Sequence, residues 1–449
     1  MKKSLLSSLV LLILFFGSFI PNNTKNKDTK DGSKIEFTEF TLKNGLHVIL
    51  HEDHSVPLVA VTVLYHVGSK NEEPNRTGFA HFFEHLLFEG SKNIKRGEFD
   101  DYIENSGGMN NANTTYDRTF YYEVMPSNQL ELALWLESER MLHAKVDSTG
   151  IETQRQVVKE ERRQRIDNQP YGSLLEETLK RVYTKHPYKS SVIGSMAHLD
   201  AAEEIDYKSF YEKYYVPNNA VVSIAGDIDV KTAKALVEKY FAGIPEGKKV
   251  IQPQIVEPPQ TAEVRDTVYD NIQLPAVIQA FKVPARGQSD YYATKMLFTL
   301  LSDGESSRLS KSVKDQQQKA IAVGAFPLDL EQNPSVALAF GIVSMGVNPL
   351  DLEAAMDGEY EKVKNELIDE KEFQKLKNQF EANFYTQNST IAGIAETLSN
   401  NHVYGGNANL INTEIESYMK VTREEIQAAA KKYLVPTNRV TLHYLPKTK

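Results

Sequence analysis

Two histidines and a glutamate stand at 81, 84 and 85 in the run HFFEH. On an α-helix, positions i and i+4 lie about 40° apart around the axis. His81 and His85 can therefore turn ring nitrogens toward one ion while Glu84 projects beside them. Imidazole nitrogen suits zinc, and a catalytic zinc keeps three protein ligands and one open position for water. Such a water has its pKa lowered toward neutrality, and a neighbouring carboxylate can take its proton as it attacks a carbonyl. The order of residues is the inverse of the HExxH arrangement. A buried helix with two hydrogen-bonded histidines and no metal would read the same way, and the run itself supplies two ligands where three are needed.

These side chains need a helix to carry them and a scaffold to hold it. GFAHFFEHLLFEG and IETQRQVVKEERRQRI have helical spacing, whereas GLHVILHED and LVAVTVLYHVG alternate as antiparallel strands with one buried face. NNAVVSIAGDIDVKTAKALVEKYF reads as a strand, a turn and a helix opened by Asp227 or Asp229. A weak repeat then sets the organisation. YEKYYVPNNAVVSI reappears as AKKYLVPTNRVTLH, with Pro217 and Pro436 219 positions apart, and SVPLVAVTV matches QLPAVIQAF, with Pro57 and Pro275 218 apart. The expectation is an α+β fold of two homologous domains of about 200 residues each. Each is expected to be an antiparallel sheet with helices mainly on one face. The domains are expected at 35–248 and 263–449, joined by 249–262, where Pro253, Pro258 and Pro259 favour extended chain. The second half carries no His-x-x-Glu-His at the repeat offset, so only the first domain is expected to hold metal.

The chain has 449 residues, 41% of them hydrophobic and 25% charged, which excludes disordered and fibrous classes. A net charge of −9 without a dense Lys/Arg run excludes nucleic acid as a natural partner. Lys2 and Lys3 precede an apolar stretch from Leu5 to Ile20, so 1–21 reads as an export signal or an uncleaved N-terminal anchor, followed by a polar spacer at 22–34. The protein is accordingly expected outside the cytoplasm, periplasmic or extracellular, free or tethered. Without cysteine it has neither a lipidation cysteine nor disulfides. HEDH at 51–54 lacks the spacing of a metal motif, and His51 and His54 are expected to close a strand end. His66, His143, His198, His402 and His443 have no partners at motif spacing.

GSKNEEPNRTGFAHFFEHLLFEGSKN resembles the signature of the pitrilysin/insulinase family of zinc peptidases, which includes the mitochondrial processing peptidases. The resemblance implies one Zn2+ per chain, Glu84 as general base, and a third ligand on another helix about 75 residues beyond the second histidine. That position falls in QVVKEERR, where the family pattern selects Glu161 over its neighbour Glu160. GGMNNANTTYDRTFYYEVMP resembles the family's edge strand, which implies that Asn111 and Ala112 pair with the substrate backbone.

Two positions depart from the family pattern. Gln154 stands where relatives often place an acid seven residues before the third ligand, which implies weaker support of the metal ligands. Lys314 and Ile321 stand where relatives place an Arg and a Tyr that bind substrate. Lysine lacks the planar fork of arginine, and isoleucine cannot donate a hydrogen bond to an oxyanion. The resemblance implies an exported zinc endopeptidase acting on peptides or unfolded segments. It further implies a clamshell dimer with a second copy or with a zinc-less homologous subunit that supplies Arg and Tyr. A non-hydrolytic binding or assembly subunit of the same fold is the alternative.

Overall fold

β-branched and apolar residues at every position of LVAVTVLY form a strand whose two faces are both dry. From Val59 to Tyr65 no residue of it is exposed. It belongs to one of two sheets in a computed structural model that describes residues 34–447. The segment read as export signal and all but the last residue of the spacer lie outside the described residues. The strands are β1 (Thr38–Thr41), β2 (His47–Glu52), β3 (Leu58–Tyr65), β4 (Met109–Thr114), β5 (Thr119–Pro126), β6 (Ala220–Gly226), β7 (Val264–Asp270), β8 (Ala276–Val283), β9 (Ala320–Pro327), β10 (Ser335–Val343) and β11 (Arg439–Pro446).

The first sheet runs β1-β2-β6-β3-β5-β4 and the second β7-β11-β8-β10-β9. The two orders superpose once β1 is set aside, which is the repeat expressed as topology. Both sheets are mixed rather than wholly antiparallel: β2 runs parallel to β6, and β7 parallel to β11. The repeated prolines act alike. Pro217 and Pro436 each open a short 3-10 turn that feeds β6 and β11. Asn219 and Asn438, two residues on, donate to the carbonyls of Tyr214 and Tyr433 at 2.8 and 2.9 Å.

On one face the first sheet is covered by helices of its own half: α1 (Phe79–Leu86), α2 (Leu130–His143), α3 (Ser148–Arg162) and α5 (Val230–Phe241). Asp229 caps α5 by accepting from Thr232 N–H, while Asp227 turns instead to His54 and Ser127. The second sheet is covered in the same way by α6 (Tyr291–Ser302), α7 (Pro349–Asn365) and α9 (Arg423–Tyr433).

The helices of each half lie mainly on one face of its sheet, as expected, and the opposite faces are covered as well. The halves exchange a helix. Ile394, Ala395 and Leu398 of α8 (Ile391–Gly405), from the second half, pack on Ile49, Ala60, Val221 and Ala225 of the first sheet. Leu179 and Val182 of α4 (Leu174–Val182), from the first half, pack on Ile278, Leu338 and Leu442 of the second sheet. α4 and α8 sit at matching positions of the repeat, so the exchange is reciprocal. Arg118 fastens α8 with hydrogen bonds to Glu396 at 2.5 Å and Asn400 at 2.8 Å. Glu257 fastens the segment between the sheets by accepting from the N–H groups of Thr184, Lys185 and His186. No described helix is long and apolar enough to cross a membrane.

Candidate active site

α1 is short, and its orientation is set at both its apolar face and its start. Phe79, Phe82, Phe83 and Leu86 are buried, with Phe79 stacked on Tyr207 and Phe83 on Phe210. Tyr121 OH donates to the Phe83 carbonyl at 2.9 Å. The helix begins at Gly78, whose φ of 93° is open to glycine; a Cβ there would also meet the Ile193 carbonyl oxygen at 2.7 Å. Glycine has no side chain with which to cap the helix. The carboxyl of Glu72 does so from six residues earlier, its oxygens accepting from Gly78 and Ala80 N–H at 2.8 Å each. Sequence reading missed Glu72; a glycine at the cap position of a buried helix is the signal that a distant acceptor must stand in.

α3 is capped by Asp147, which accepts from Gly150 N–H at 2.8 Å, and is anchored by Ile151 and Val158. Its last turn carries Glu161 to the motif. One carboxylate oxygen, Oε2, lies 3.4 Å from His81 Nε2 and 3.2 Å from His85 Nε2. The two rings stand 4.8 Å apart at 72°. The other oxygen of Glu161 pairs with Arg165 at 2.6 Å. Glu160 turns away to Arg163 and Gln164 at the surface.

Burial pushes the His81 imidazolium down to about 4, assisted by His85, so the ring is neutral and its lone pair available at neutral pH. Burial would raise the Glu161 carboxyl, but His85 and His81 outweigh it and bring it below its usual value. Glu161 Oε2 is buried and takes no well-formed hydrogen bond. Two imidazole nitrogens converging on a carboxylate oxygen with unmet bonding capacity are a donor set that fits zinc. Glu84, on the same helix, is raised above its usual value by burial, opposed by the adjoining Thr114 side chain and by His85.

β4, with Asn111 and Ala112, is the free edge of the first sheet and packs beside α1. The Ala112 N–H is met by Asn111's own Oδ1 at 2.8 Å. The Gln154 amide donates to Glu89 at 2.5 Å and has no hydrogen bond to His81, His85 or Glu161. Ile321 lies on β9, the edge of the second sheet, and is 53% exposed. Lys314 pairs with Asp315 at 3.5 Å. Among the described residues neither side chain bonds to the histidine–glutamate group.

Residues 47–195 match the family model described as insulinase (peptidase family M16), and residues 206–380 match the one described as the peptidase M16 inactive domain. The zinc protease PqqE of Helicobacter pylori is 33% identical over 420 residues, 90% of this chain and 92% of the relative. An uncharacterized zinc protease of Mycobacterium leprae is 30% identical over 63% of this chain and 64% of its own length. The crystal structure of a protease from Helicobacter pylori superposes with a TM-score of 0.87 at 29% identity, covering 92% of this chain and all of that one. A peptidase M16 inactive domain from Pseudomonas fluorescens shares the fold, with a TM-score of 0.82 at 18% identity over 92% of this chain and 98% of that one. Likeness sustained along nine-tenths of the chain, with the family's models falling on both halves, means that this protein belongs to the insulinase family of peptidases, family M16.

Proposed function

We propose that the chain is an exported zinc-dependent endopeptidase that hydrolyses peptides or unfolded polypeptide segments. The observation that carries this reading is the approach of Glu161 Oε2 to the Nε2 atoms of His81 and His85, with Glu84 one residue from His85. His81, His85 and Glu161 would hold one zinc ion per chain. Zinc supplies Lewis acidity there, acidifying water and polarising the scissile carbonyl.

The chain's own groups do the rest. Glu84, its carboxyl raised by burial, accepts the proton of the attacking water and returns it to the leaving amine. β4 offers a free edge on which an extended substrate can add as a further strand, with Asn111 and Ala112 beside the motif helix. Asn111 Oδ1, which now occupies the Ala112 N–H, yields it to a substrate carbonyl. Lys314 and Ile321 are poor substitutes for an oxyanion-binding pair. We therefore place the catalytic chain in a two-subunit clamshell whose partner, a zinc-less homologous subunit, supplies Arg and Tyr.

Hydrolysis of an unstructured fluorogenic peptide by zinc-loaded protein lacking residues 1–21, beside its Glu84→Gln variant, tests the reading. Activity that survives the substitution refutes the role of Glu84. A zinc-bound but silent chain that a homologous subunit activates supports the clamshell. A chain that takes up no stoichiometric zinc is the non-hydrolytic alternative.

A further inference from the structure

The turn that leads into the motif helix is gripped by the half that carries no metal ligands. Ser69–Asn71 form one 3-10 turn between β3 and α1, and the side chain of its lysine is wholly buried. Lys70 Nζ pairs with Asp117 of the first half at 3.1 Å and with Glu331 of the second. Glu331 lies in the loop between β9 and β10. One of its oxygens also lies 2.8 Å from His66 Nε2, and its N–H donates to Asp117 Oδ2 at 3.0 Å. Burial would raise the Glu331 carboxyl, but His66 and Lys70 outweigh it and hold it down to about 2, so it is an anion at neutral pH. Asn71 completes the grip. Its Nδ2 donates to Gln252 of the linker at 2.9 Å, and its carbonyl accepts from Tyr214 OH at 2.9 Å.

The next residue is Glu72, whose carboxyl caps α1. A buried ammonium is held where its carboxylates are, because parting them strands charge away from water. A cap that accepts from two N–H groups at 2.8 Å weakens steeply when its oxygens move or tilt. The position of the turn therefore sets the position of the helix start, and His81 follows within one turn. We propose that Glu331 is a positioning residue for the site in the other half: through Lys70 it fixes the turn that carries Glu72, and so the seat of the helix bearing His81 and Glu84. Its effect on hydrolysis rests on the zinc-peptidase reading; its hold on the helix does not. Misplacing a catalytic group by about 1 Å can cost on the order of 100-fold in rate.

Hydrogen exchange over residues 78–88, followed by mass spectrometry on the whole chain without added metal, tests the hold. Glu331→Ala should speed exchange there at least fivefold and leave α5, in the same half, within twofold. Should that variant fold poorly, Glu331→Gln, which keeps an acceptor but not the charge, should show the same change in smaller measure. In a Glu72→Ala background the Glu331→Ala effect should disappear, since it passes through the cap. In the zinc-loaded chain, Glu331→Ala should lower kcat about tenfold with KM within twofold. Unchanged exchange over 78–88 overturns the proposal. So does faster exchange spread evenly over the first half, which an ion pair of purely stabilising effect would give. Effects of Glu331→Ala and Glu72→Ala that simply multiply overturn it too, as does an unchanged kcat in an active chain. If the exchange result holds while the unaltered zinc-loaded chain cleaves no peptide, the hold on the helix stands and the peptidase reading fails.

Discussion

Arg140 Nε points at the Leu87 carbonyl from 3.5 Å, at the opposite end of the motif helix from Glu72. A buried cation thus lies at the helix's C-terminal end, and a buried carboxyl, pushed up to about 8 by burial, caps its N-terminal end. The guanidinium also lies over the rings of Phe88, Phe99 and Tyr121 and is ion-paired with Glu137.

Removing either end should disturb the helix that carries His81 and His85. Glu72→Ala leaves two backbone N–H groups without an acceptor, and an expected loss of about 2 kcal/mol follows. Arg140→Met strands Glu123 and Glu137 without their partner, at an expected cost of about 3–5 kcal/mol. Urea denaturation measures both. A loss under about 0.5 kcal/mol for Glu72→Ala would show that the cap is incidental.

The two glutamates of the site should fail differently. Glu84→Gln keeps the three proposed ligands and should retain zinc while kcat falls about 100- to 10,000-fold. Glu161→Gln removes the anionic ligand and should lose zinc first, with activity following. Zinc content measured beside kinetics separates the two, and equal zinc loss in both variants would contradict the assignment.

Acid should release the segment between the sheets. Burial would raise the Glu257 carboxyl, but donations from the Thr184, His186 and Lys185 N–H groups outweigh it and hold it down to about 2. A depressed carboxyl contributes its full stability above its unfolded pKa, near 4.5, and loses it as pH falls toward 2. A shift of this size corresponds to about 3 kcal/mol. Glu257→Gln should therefore be destabilised at pH 7 and much closer to the unaltered chain at pH 3. Urea midpoints at the two values decide it; an equal deficit at both would mean the charge is not what matters.

Neither half should be a self-sufficient folding unit. Leu398 is fully buried against a sheet it does not belong to, and Leu398→Ala should cost about 2–5 kcal/mol through the cavity it leaves. Fragments 35–248 and 263–449 should be unfolded or aggregated alone and recover circular dichroism and a cooperative melt when refolded together. A cooperative melt of fragment 35–248 alone would show that α8 is dispensable.

What was legible in the sequence was what is local. HFFEH could be read because a helix returns to the same face every fourth residue. The repeat could be read because Pro217 and Pro436 sit at the same turn for the same steric reason. Glu161 came only through resemblance, since nothing between His85 and Glu161 fixes how α3 crosses α1. The dry second faces of the sheets were hidden because alternation shows that a face is apolar without showing what covers it. Ala60 and Ile49 read like any strand residues until Leu398, more than 300 positions away, lies on them. Gln154 was placed by spacing, but its side chain turns to Glu89.

The exchange of α4 and α8 also bears on the origin of the chain. A single unduplicated copy would have had one sheet with one face left uncovered and one such helix projecting away from it. Two sister copies could each have dried the other's sheet by lending that helix, as in domain-swapped dimers. Fusing the genes of such a pair would turn a contact that depended on concentration into one held at a fixed effective concentration. One copy would then be free to lose its metal ligands while still owing its fold to the other.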